Sequence, residues 1–414
     1  MPGLAVVRGY RREWLRADIL SGIGVCVVMI PSVIAYANLL GINPQHGLYA
    51  ALVGLLVYPL FSSSRQVIVG PDIAITLLIA AAVGPLAGGN PHYAAVLSAA
   101  VALLSGGLLL LGARARIDVV ADFLSKPVLV GYMSGAALIL VASQLDKLFG
   151  VPLKQVNFFP RLLELAGKLP ETHAPTLVIG LVLLALLVLL RRFAPRVPGA
   201  LAVFILALGV SLAANPGERG IAVVGTFPAG LPHYSFPGMG LAVFQELLPA
   251  ALGIALLTYT EGILLARAFA AKNGYEVDAK QELVALGLAD IATGLFQGFS
   301  VTGSQARTGI NDASGGKTQL VSLVAAGTLA VFLLFLTPVI ARVPLVALSA
   351  MLIHAGFGLV EFDAMKRIYR FYPRSGLMAV LTTLGVLVVG VVPGILIGVA
   401  ASLIDMINRV SRPP

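Results

Sequence analysis

Long apolar runs, each the length of a whole helix, alternate along this chain with short polar stretches. Apolar runs that can cross roughly 30 Å of hydrocarbon, about 20 residues each, recur from Ile19 almost to the C-terminus. The pattern predicts fourteen membrane segments, near residues 17–38, 45–61, 71–83, 92–112, 125–146, 174–192, 197–213, 243–271, 281–296, 303–313, 318–336, 344–360, 375–391 and 393–408.

The composition supports a membrane protein. The 414 residues are 58% hydrophobic and only 11% charged, whereas roughly a quarter of the residues in an ordinary soluble domain are charged. No cleavage-like pattern follows the first apolar run, so we expect it to stay as a helix. The one cysteine, Cys26, excludes a disulfide framework. The expected fold is an all-α polytopic membrane protein.

The net charge of +9 is distributed along the chain as a membrane topology requires. If the helices alternate in direction from a cytoplasmic N-terminus, the inside loops collect most of the Arg and Lys residues. The positive-inside rule then places both termini in the cytoplasm of a multi-pass protein of the cell membrane. No segment builds a basic face with interleaved aromatic residues outside the bilayer, so we expect no nucleic-acid partner.

The chain divides into two similar halves. A polar connection at 214–241 separates residues 17–213 from residues 242–409, with an N-terminal cytoplasmic segment at 1–16 and a short stub at 410–414. Each half contains seven segments, and the last segment of each opens on a Val-Pro-Gly triplet. Because seven is odd, the halves must have opposite orientations, so we predict 7+7 inverted repeats of the kind found in secondary transporters.

Each half contains a polar break within its apolar pattern, "SSSRQVIVGPDIAIT" and "FSVTGSQARTGIN". Polar backbone survives at membrane depth only where it lines a cavity or packs inside protein. We predict half-helices in segments 3 and 10, beginning near Gly70-Pro71, with Pro71 in the first turn, and near Gly303. Two such N-termini facing each other favour an anion, and Arg307 adds a full positive charge beside one of them.

The residues at the two breaks are therefore the candidates for substrate contact. Purely structural roles are the alternative to substrate contact for several of these residues. Arg307 could satisfy backbone carbonyls, Asp72 could stabilise a helix N-terminus, and Tyr36 and Phe299 could be packing residues. The candidate substrate-binding residues are Ser32, Tyr36, Gly70, Pro71, Asp72, Ile73, Phe299, Gly303, Ser304, Gln305, Ala306 and Arg307.

Glu261 is an acid within the apolar eighth segment. It is either a structural buried acid or the site of a coupling cation. Burial would suit it to proton coupling, whereas Na⁺ would need further oxygens, such as those of Thr302 or Thr260. The sequence leaves H⁺ and Na⁺ open, and beyond such an ion we expect no cofactor.

The remaining polar residues do not form a catalytic or metal-ligating pattern. The five histidines are scattered and lack metal-ligand spacing, and no strand-turn-helix unit surrounds Ser300 or Ser304 as a nucleophile elbow requires. We expect no metal site and no enzyme activity. Four further polar residues near predicted helix ends are expected to be solvated or interfacial: Gln144, Asp146, Glu246 and Asp290.

Four stretches, in this order, resemble the signatures of the sulfate permease family of anion transporters: "IPSVIAYANLLGINPQHGLYAAL", "SSRQVIVGPDIA", "EGILLARAFAAKNGYEVDAKQELVALGLADIATGLFQGFSVTGSQARTG" and "VPLVALSAMLI". The resemblance implies a core of segments 1–4 and 8–11 and a gate of segments 5–7 and 12–14. It also implies a homodimer, with substrate held between segments 3 and 10 by backbone amides.

Three departures from the family pattern bear on these expectations. Ser32 follows Pro31 where members usually have Gln or Glu, and Ala306 stands where many have Ser. The third is that the chain ends at 410–414, where members continue into a STAS domain. The first two remove side chains that could contact a substrate or a coupling ion.

The expected function is secondary active transport of small anions by alternating access. Sulfate, bicarbonate, chloride or a small dicarboxylate would each suit the site, by symport with H⁺ or Na⁺ or by anion exchange. The alternatives are an anion channel, a non-transporting voltage-responsive membrane protein, and a nucleobase carrier of the same fold. The last is disfavoured because base edges call for acidic or amide side chains rather than an arginine.

Overall fold

The computed structural model describes most of the chain. The described residues are 10–115, 126–155, 157–195, 197–214, 220–238, 240–360, 366, 369–370, 373–390, 394 and 398. The chain forms two compact units, and each takes one stretch from each half of the sequence. The first unit comprises Met1–Ala121 and Gly225–Ala341, and the second comprises Asp122–Val224 and Arg342–Pro414.

The first unit holds two very short strands and nine α-helices, one of them a single turn, within its described residues. The strands are β1 (Val69–Gly70) and β2 (Thr302–Gly303). The helices are α1 (Leu15–Leu39), α2 (Pro44–Phe61), α3 (Ile73–Ala87), α4 (Pro91–Ala115), α10 (Leu241–Asn273), α11 (Ala279–Leu295), α12 (Gln305–Ala313) and α13 (Leu320–Phe335), followed by the single turn α14 (Thr337–Ile340).

The second unit is helical throughout its described residues, apart from connections. Its helices are α5 (Lys126–Ser143), α6 (Leu145–Phe149), α7 (Phe158–Gly167), α8 (Ala174–Phe193), α9 (Gly199–Ala214), α15 (Leu345–Leu359) and α16 (Pro373–Val389). An isolated bridge pairs Val223 with Pro344, and a small core forms around Leu148, Ile221, Val346 and Ile353.

Thirteen of the fourteen predicted segments coincide with helices in the described residues. The first unit groups predicted segments 1–4 with 8–11, and the second groups 5–7 with 12 and 13. The predicted segment at 393–408, the stub at 410–414 and residues 1–9 of the N-terminal segment lie outside the described residues, apart from 394 and 398. The inverted relation of the two halves stays a prediction.

Several helices are long and apolar enough to cross a membrane. Among the described residues four reach that length and hydropathy: 12–39, 91–115, 174–193 and 242–273. Helix α8 exposes Val178, Leu181, Val182 and Val188 on one face, at the spacing of a continuous helical stripe. In a membrane protein such a stripe is the surface that faces lipid.

Small residues bring the helices of the first unit close together. A Cβ atom added at Gly106 of α4 would lie 2.6 Å from the carbonyl oxygen of Gly287 in α11, and one added at Gly294 would lie 2.6 Å from that of Ala99. Larger side chains would clash with backbone here. This close packing of small residues is how membrane helices associate without a hydrophobic driving force, and it holds α11 against α4.

Candidate functional site

The two polar breaks meet as an antiparallel pair of strands. Val69 lies opposite Gly303, and Gly70 lies opposite Thr302. Two further bonds extend the pairing, because Ser304 N donates to the Ile68 carbonyl at 3.0 Å and Ile68 N donates to the Thr308 hydroxyl at 3.0 Å. Helix α3 begins three residues after its strand and α12 two residues after its strand, so the pairing brings their N-termini together in the first unit.

The start of α3 is closed by its own side chain. Asp72 is the N-cap, and its carboxylate accepts a hydrogen bond from Ala74 N at 3.3 Å. The neighbouring Pro71 and Ile73 are buried, and Asp72 is half-buried. The prediction that Pro71 occupies the first helical turn was wrong, because the extended conformation of Asp72 delays the helix until Ile73.

The start of α12 is open by comparison. Ser304 is its N-cap but makes no side-chain capping bond, and the next two residues, Gln305 and Ala306, are exposed. The first N–H groups of a helix have no partner inside the helix. The amides in the first turn of α12 are therefore available to an acceptor that approaches from outside the chain.

Arg307 links the two starts. Its side chain is buried, with 3% of its surface exposed, and its Nη2 donates to the Pro71 carbonyl at 2.8 Å. Its buried Nε has no hydrogen-bond partner among the described residues. Gly70 is adjacent, since a Cβ there would lie 3.4 Å from Nη2. A buried guanidinium with an unused donor carries both positive charge and spare hydrogen-bonding capacity.

The other predicted contact residues differ in how open they are. Ser32 and Tyr36 lie on α1 and are half-buried, and the Ser32 hydroxyl is 3.4 Å from the Val28 carbonyl of its own helix. Tyr36 lies near the charges of Asp72 and Arg307. Phe299 is fully buried, as is Gly303. In this conformation the exposed members of the predicted set are Gln305 and Ala306.

Glu261 lies on α10 and is half-buried. No ion pair reaches it within the described part of the chain, and its charged neighbour is Asp72. The Thr302 hydroxyl, fully buried, donates to the Thr258 carbonyl at 3.3 Å. The hydroxyl of Thr258 itself is buried without a partner in the described structure. Thr258 lies three residues before Glu261, on the same side of α10.

Two buried carboxylates on α11 hold the breaks in place, and sequence reasoning missed both. Asp290 is fully buried, so the expectation that it would be solvated was wrong, as it was for the buried Gln144. One oxygen of Asp290 accepts from Val301 N at 2.7 Å and the other from the Ser105 hydroxyl at 2.8 Å. It therefore fixes the residue directly before β2.

Glu282, two turns earlier on α11, fixes the backbone at the beginning of the first break. Its carboxylate accepts from Ser63 N at 2.8 Å and Ser64 N at 3.0 Å, and from the hydroxyls of Tyr58 and Ser62 at 2.6 and 3.0 Å. The run of serines at 62–64, opposite an acid in an apolar helix, was the signal that could have located it. The two anchors make α11 the support of both strands.

Side-chain amides from the far end of α12 and from the start of α13 complete this support. Asn311 Nδ2 donates to the Gln66 carbonyl at 2.8 Å, and Gln319 Nε2 donates to the carbonyls of Ser64 and Val67, both at 2.9 Å. Buried polar groups paired in this way define one arrangement of the backbone. In the described residues no group of three or more His, Cys, Asp or Glu side chains could hold a metal ion.

Comparison with known proteins gives consistent matches over the whole chain. The sequence model described as the sulfate permease family matches residues 15–383. A probable sulfate transporter of Mycobacterium tuberculosis is 40% identical over 412 residues, covering 100% of this chain and 74% of the relative. The chloroplastic sulfate transporter 4.1 of Arabidopsis thaliana is 32% identical, covering 98% of this chain and 60% of the relative.

Two solved structures have the same fold. The murine solute carrier 26 family member A9 anion transporter, in its inward-facing state, superimposes with a TM-score of 0.92 at 22% identity, covering 99% of this chain and 71% of that one. The transmembrane domain of a cyanobacterium bicarbonate transporter, BicA, superimposes with a TM-score of 0.80 at 21% identity. The match covers 95% of this chain and 98% of that one.

Proposed function

The chain belongs to the sulfate permease family, and from that membership and the geometry of its two breaks we propose that it is a secondary active transporter of small anions that works by alternating access. It is a multi-pass membrane transporter rather than an enzyme. The observation that carries the proposal is Arg307, a buried guanidinium with an unpartnered Nε at the junction of two helix N-termini.

The proposed anion binds chiefly to the start of α12. The amides of Gln305 and Ala306 and the charge of Arg307 would surround it, since helix N-termini bind oxyanions through free N–H groups and the helix dipole. The rest of the site would be lined by the side chains of Ser32 and Tyr36 and by the backbone of Gly70, Pro71 and Ile73. The buried Phe299 would pack behind these residues. Asp72 would stand aside, because its carboxylate is turned to Ala74 N.

Sulfate is the first substrate to test, because two relatives are named as sulfate transporters. Bicarbonate, chloride and small dicarboxylates remain in the proposed class. Each would meet the same N–H donors and the same cation, so discrimination among them depends on size and charge.

Glu261 is the proposed coupling residue, with Thr302 as its neighbour. Its carboxylate has no cationic partner in the described structure, so either a proton or Na⁺ could neutralise it. A Na⁺ would also require several oxygens, as hard cations do, for which the Thr302 hydroxyl and the Thr258 carbonyl are candidates. We further propose a homodimer in the cell membrane with cytoplasmic termini, built from 7+7 inverted repeats.

The test is uptake of labelled anions by proteoliposomes under imposed H⁺ and Na⁺ gradients. We expect sulfate or another small anion to accumulate, and to accumulate faster when the same anion is present inside, since counterflow requires a carrier. Non-saturating electrical current without counterflow would indicate a channel instead. Binding of anions with neither uptake nor current would indicate a non-transporting protein.

Glu261→Gln tests the coupling separately. The amide cannot release or take up a proton and binds Na⁺ weakly, so uptake should lose its dependence on the gradient while equilibrium binding of the anion stays measurable. Glu246→Gln is the matched control, because it makes the same change at an exposed position of the same helix. Preserved gradient dependence in Glu261→Gln would make Glu261 a structural residue.

A further inference from the structure

Helix α7 (Phe158–Gly167) has its polar and apolar faces reversed relative to a helix on the surface of a soluble protein. Its exposed large side chains are Phe159 at 47%, Leu162 at 36% and Leu163 at 75% of their surface. Leu169, just after the helix, is 49% exposed. The charged Arg161 and Glu164 are only partly exposed. A water-exposed helix shows the opposite pattern.

The charged side chains of α7 are used inside the second unit. Arg161 donates to the carbonyls of Ala142, Ser143 and Gln155 at 2.9, 3.1 and 3.0 Å. The same guanidinium also lies 3.1 Å from the Asp146 carboxylate. These bonds tie the inner face of α7 to the end of α5 and to the loop that precedes α7.

Glu164 holds the same loop from the next turn of the helix. Its carboxylate accepts from Lys154 N and Gln155 N at 2.9 and 2.8 Å, and the Lys168 ammonium lies 3.0 Å away. The backbone N–H donors of Gln155 and Lys154, together with Lys168, lower the pKa of Glu164 to about 2. The charged face of α7 is therefore bound to the protein, and the face that α7 presents to its surroundings is apolar.

We propose that α7 lies in the plane of the membrane interface, with Phe159, Leu162 and Leu163 inserted at the boundary between lipid headgroups and acyl chains. Ten residues rise about 15 Å, half of what a crossing requires, so α7 cannot span. Short helices with a large apolar face lie in this boundary instead. The proposal depends on membrane insertion of the chain and is independent of the anion site.

Lipid fits this face better than a second copy of the chain does. The exposed parts of four large apolar side chains amount to on the order of 300 Å², well below the roughly 800 Å² per partner that a stable protein interface buries. Seven residues after Gly167, α8 begins, and its exposed stripe of Val178, Leu181 and Val182 is the lipid-facing surface already described. The apolar face of α7 is thus joined by one short connection to a helix whose exposed face is covered by lipid.

The experiment measures the depth of a single tryptophan in vesicles of phosphatidylcholine brominated near either end of the acyl chain. Trp14 is the only tryptophan of the chain, so Trp14→Phe provides a clean background. The reporter is Leu163→Trp. Val182→Trp in α8 is the deep control, and Glu276→Trp, in an exposed connection, is the aqueous control.

We expect Leu163→Trp to be quenched roughly twofold more by bromine near the headgroup than by bromine near the methyl end, and Val182→Trp to show the reverse order. Glu276→Trp should respond to aqueous acrylamide and little to either lipid. The proposal is overturned if Leu163→Trp behaves like Glu276→Trp. It is also overturned if Leu163→Trp is shielded from both lipid and acrylamide, which would indicate a protein contact such as a second copy.

A second set of variants checks that the apolar face itself causes insertion. With Phe159→Trp as reporter, Leu163→Asp should abolish shallow quenching and Leu163→Ile should retain it. Leu163 is 75% exposed, so neither substitution should disturb the fold, and an unchanged thermal transition would confirm that. Shallow quenching that survives Leu163→Asp would contradict the proposal.

Discussion

The starts of α3 and α12 occupy matching places after two paired strands, yet they differ in charge and in exposure. At α3 the N-cap carboxylate of Asp72 already occupies an amide, and the flanking Pro71 and Ile73 are buried. At α12 the N-cap Ser304 leaves the amides uncapped, the next two residues are exposed, and the cation of Arg307 is present.

This difference indicates that two similar helix starts need not contribute equally to one site. An anion gains from free N–H groups and positive charge, and both are concentrated at α12. The start of α3 positions the Arg307 side chain, because the Pro71 carbonyl accepts a hydrogen bond from it. The same helix start also carries the negative charge of Asp72, which repels an anion. We therefore expect binding to depend mainly on α12 and to be tuned by α3.

The largest effect is expected from Arg307→Ala. Removal of the only arginine at the two starts should abolish anion uptake, or weaken it severely, while the fold persists. The measurement is uptake of labelled sulfate by proteoliposomes, with thermal unfolding and gel filtration to show an intact fold. Arg307→Lys is the control, because it keeps the charge without the planar donors and should retain partial binding. Wild-type uptake in Arg307→Ala would refute the central role of Arg307.

Loss of an anchor under one break should destabilise the protein. Asp290→Ala leaves Val301 N buried without its acceptor, which costs about 1–3 kcal/mol. The Ser105 hydroxyl keeps the Ala102 carbonyl and the Ser300 hydroxyl as partners, so we expect a total loss of roughly 1–3 kcal/mol. Asp290→Asn keeps an oxygen for Val301 N and should lose about half of that or less. Thermal unfolding in detergent micelles measures both variants. Equal stabilities for the two would mean that the bond to Val301 does not matter.

Ser304→Asp makes the start of α12 resemble the start of α3. The new carboxylate would cap the open amides and place a like charge beside the anion, which we expect to weaken anion binding roughly tenfold, about 1.4 kcal/mol. Ser304→Thr, which adds a methyl group but no charge, is the matched control. Isothermal titration with sulfate checks this. Undiminished affinity in Ser304→Asp would show that the anion does not use these amides.

Asp72→Asn makes the opposite change at α3. Asparagine caps helices about as well as aspartate, so stability should hold, while loss of the negative charge should strengthen anion binding by roughly threefold, a modest surface-type electrostatic effect. The same titration measures it, with Asp72→Glu as the charge-retaining control. Weaker binding in Asp72→Asn would mean that Asp72 contributes to the site by orienting Arg307.

The sequence was sufficient to locate the helices and the two breaks, because apolar length and Gly-rich polar interruptions are local signals. It also predicted that Arg307 stands at a helix start. The caps are equally local, and the acid in "VGPDIA" was anticipated as a stabiliser of its helix. The exact start of α3 was missed by two residues, because Pro71 is as compatible with the extended residue before a cap as with a first turn.

The anchors could not be predicted, because they depend on contacts between residues far apart in sequence. Glu282 bonds to residues more than 200 positions away, and Asp290 looked like a polar residue near a helix end. The reversed faces of α7 were hidden for a more local reason, because the groups that bind Arg161 and Glu164 lie within 19 residues but outside the helix. Its charges look solvated until the loop carbonyls and amides that bind them are brought beside it by the fold.

The most direct test is to locate a heavy analogue of the transported anion in the protein, selenate for sulfate or bromide for chloride, by anomalous scattering from soaked crystals. Binding at α12 predicts a peak within hydrogen-bond distance of the amides of Gln305 and Ala306 and beside the Arg307 guanidinium. A peak elsewhere, or none at a concentration that saturates uptake, would contradict the assignment of the site to the start of α12.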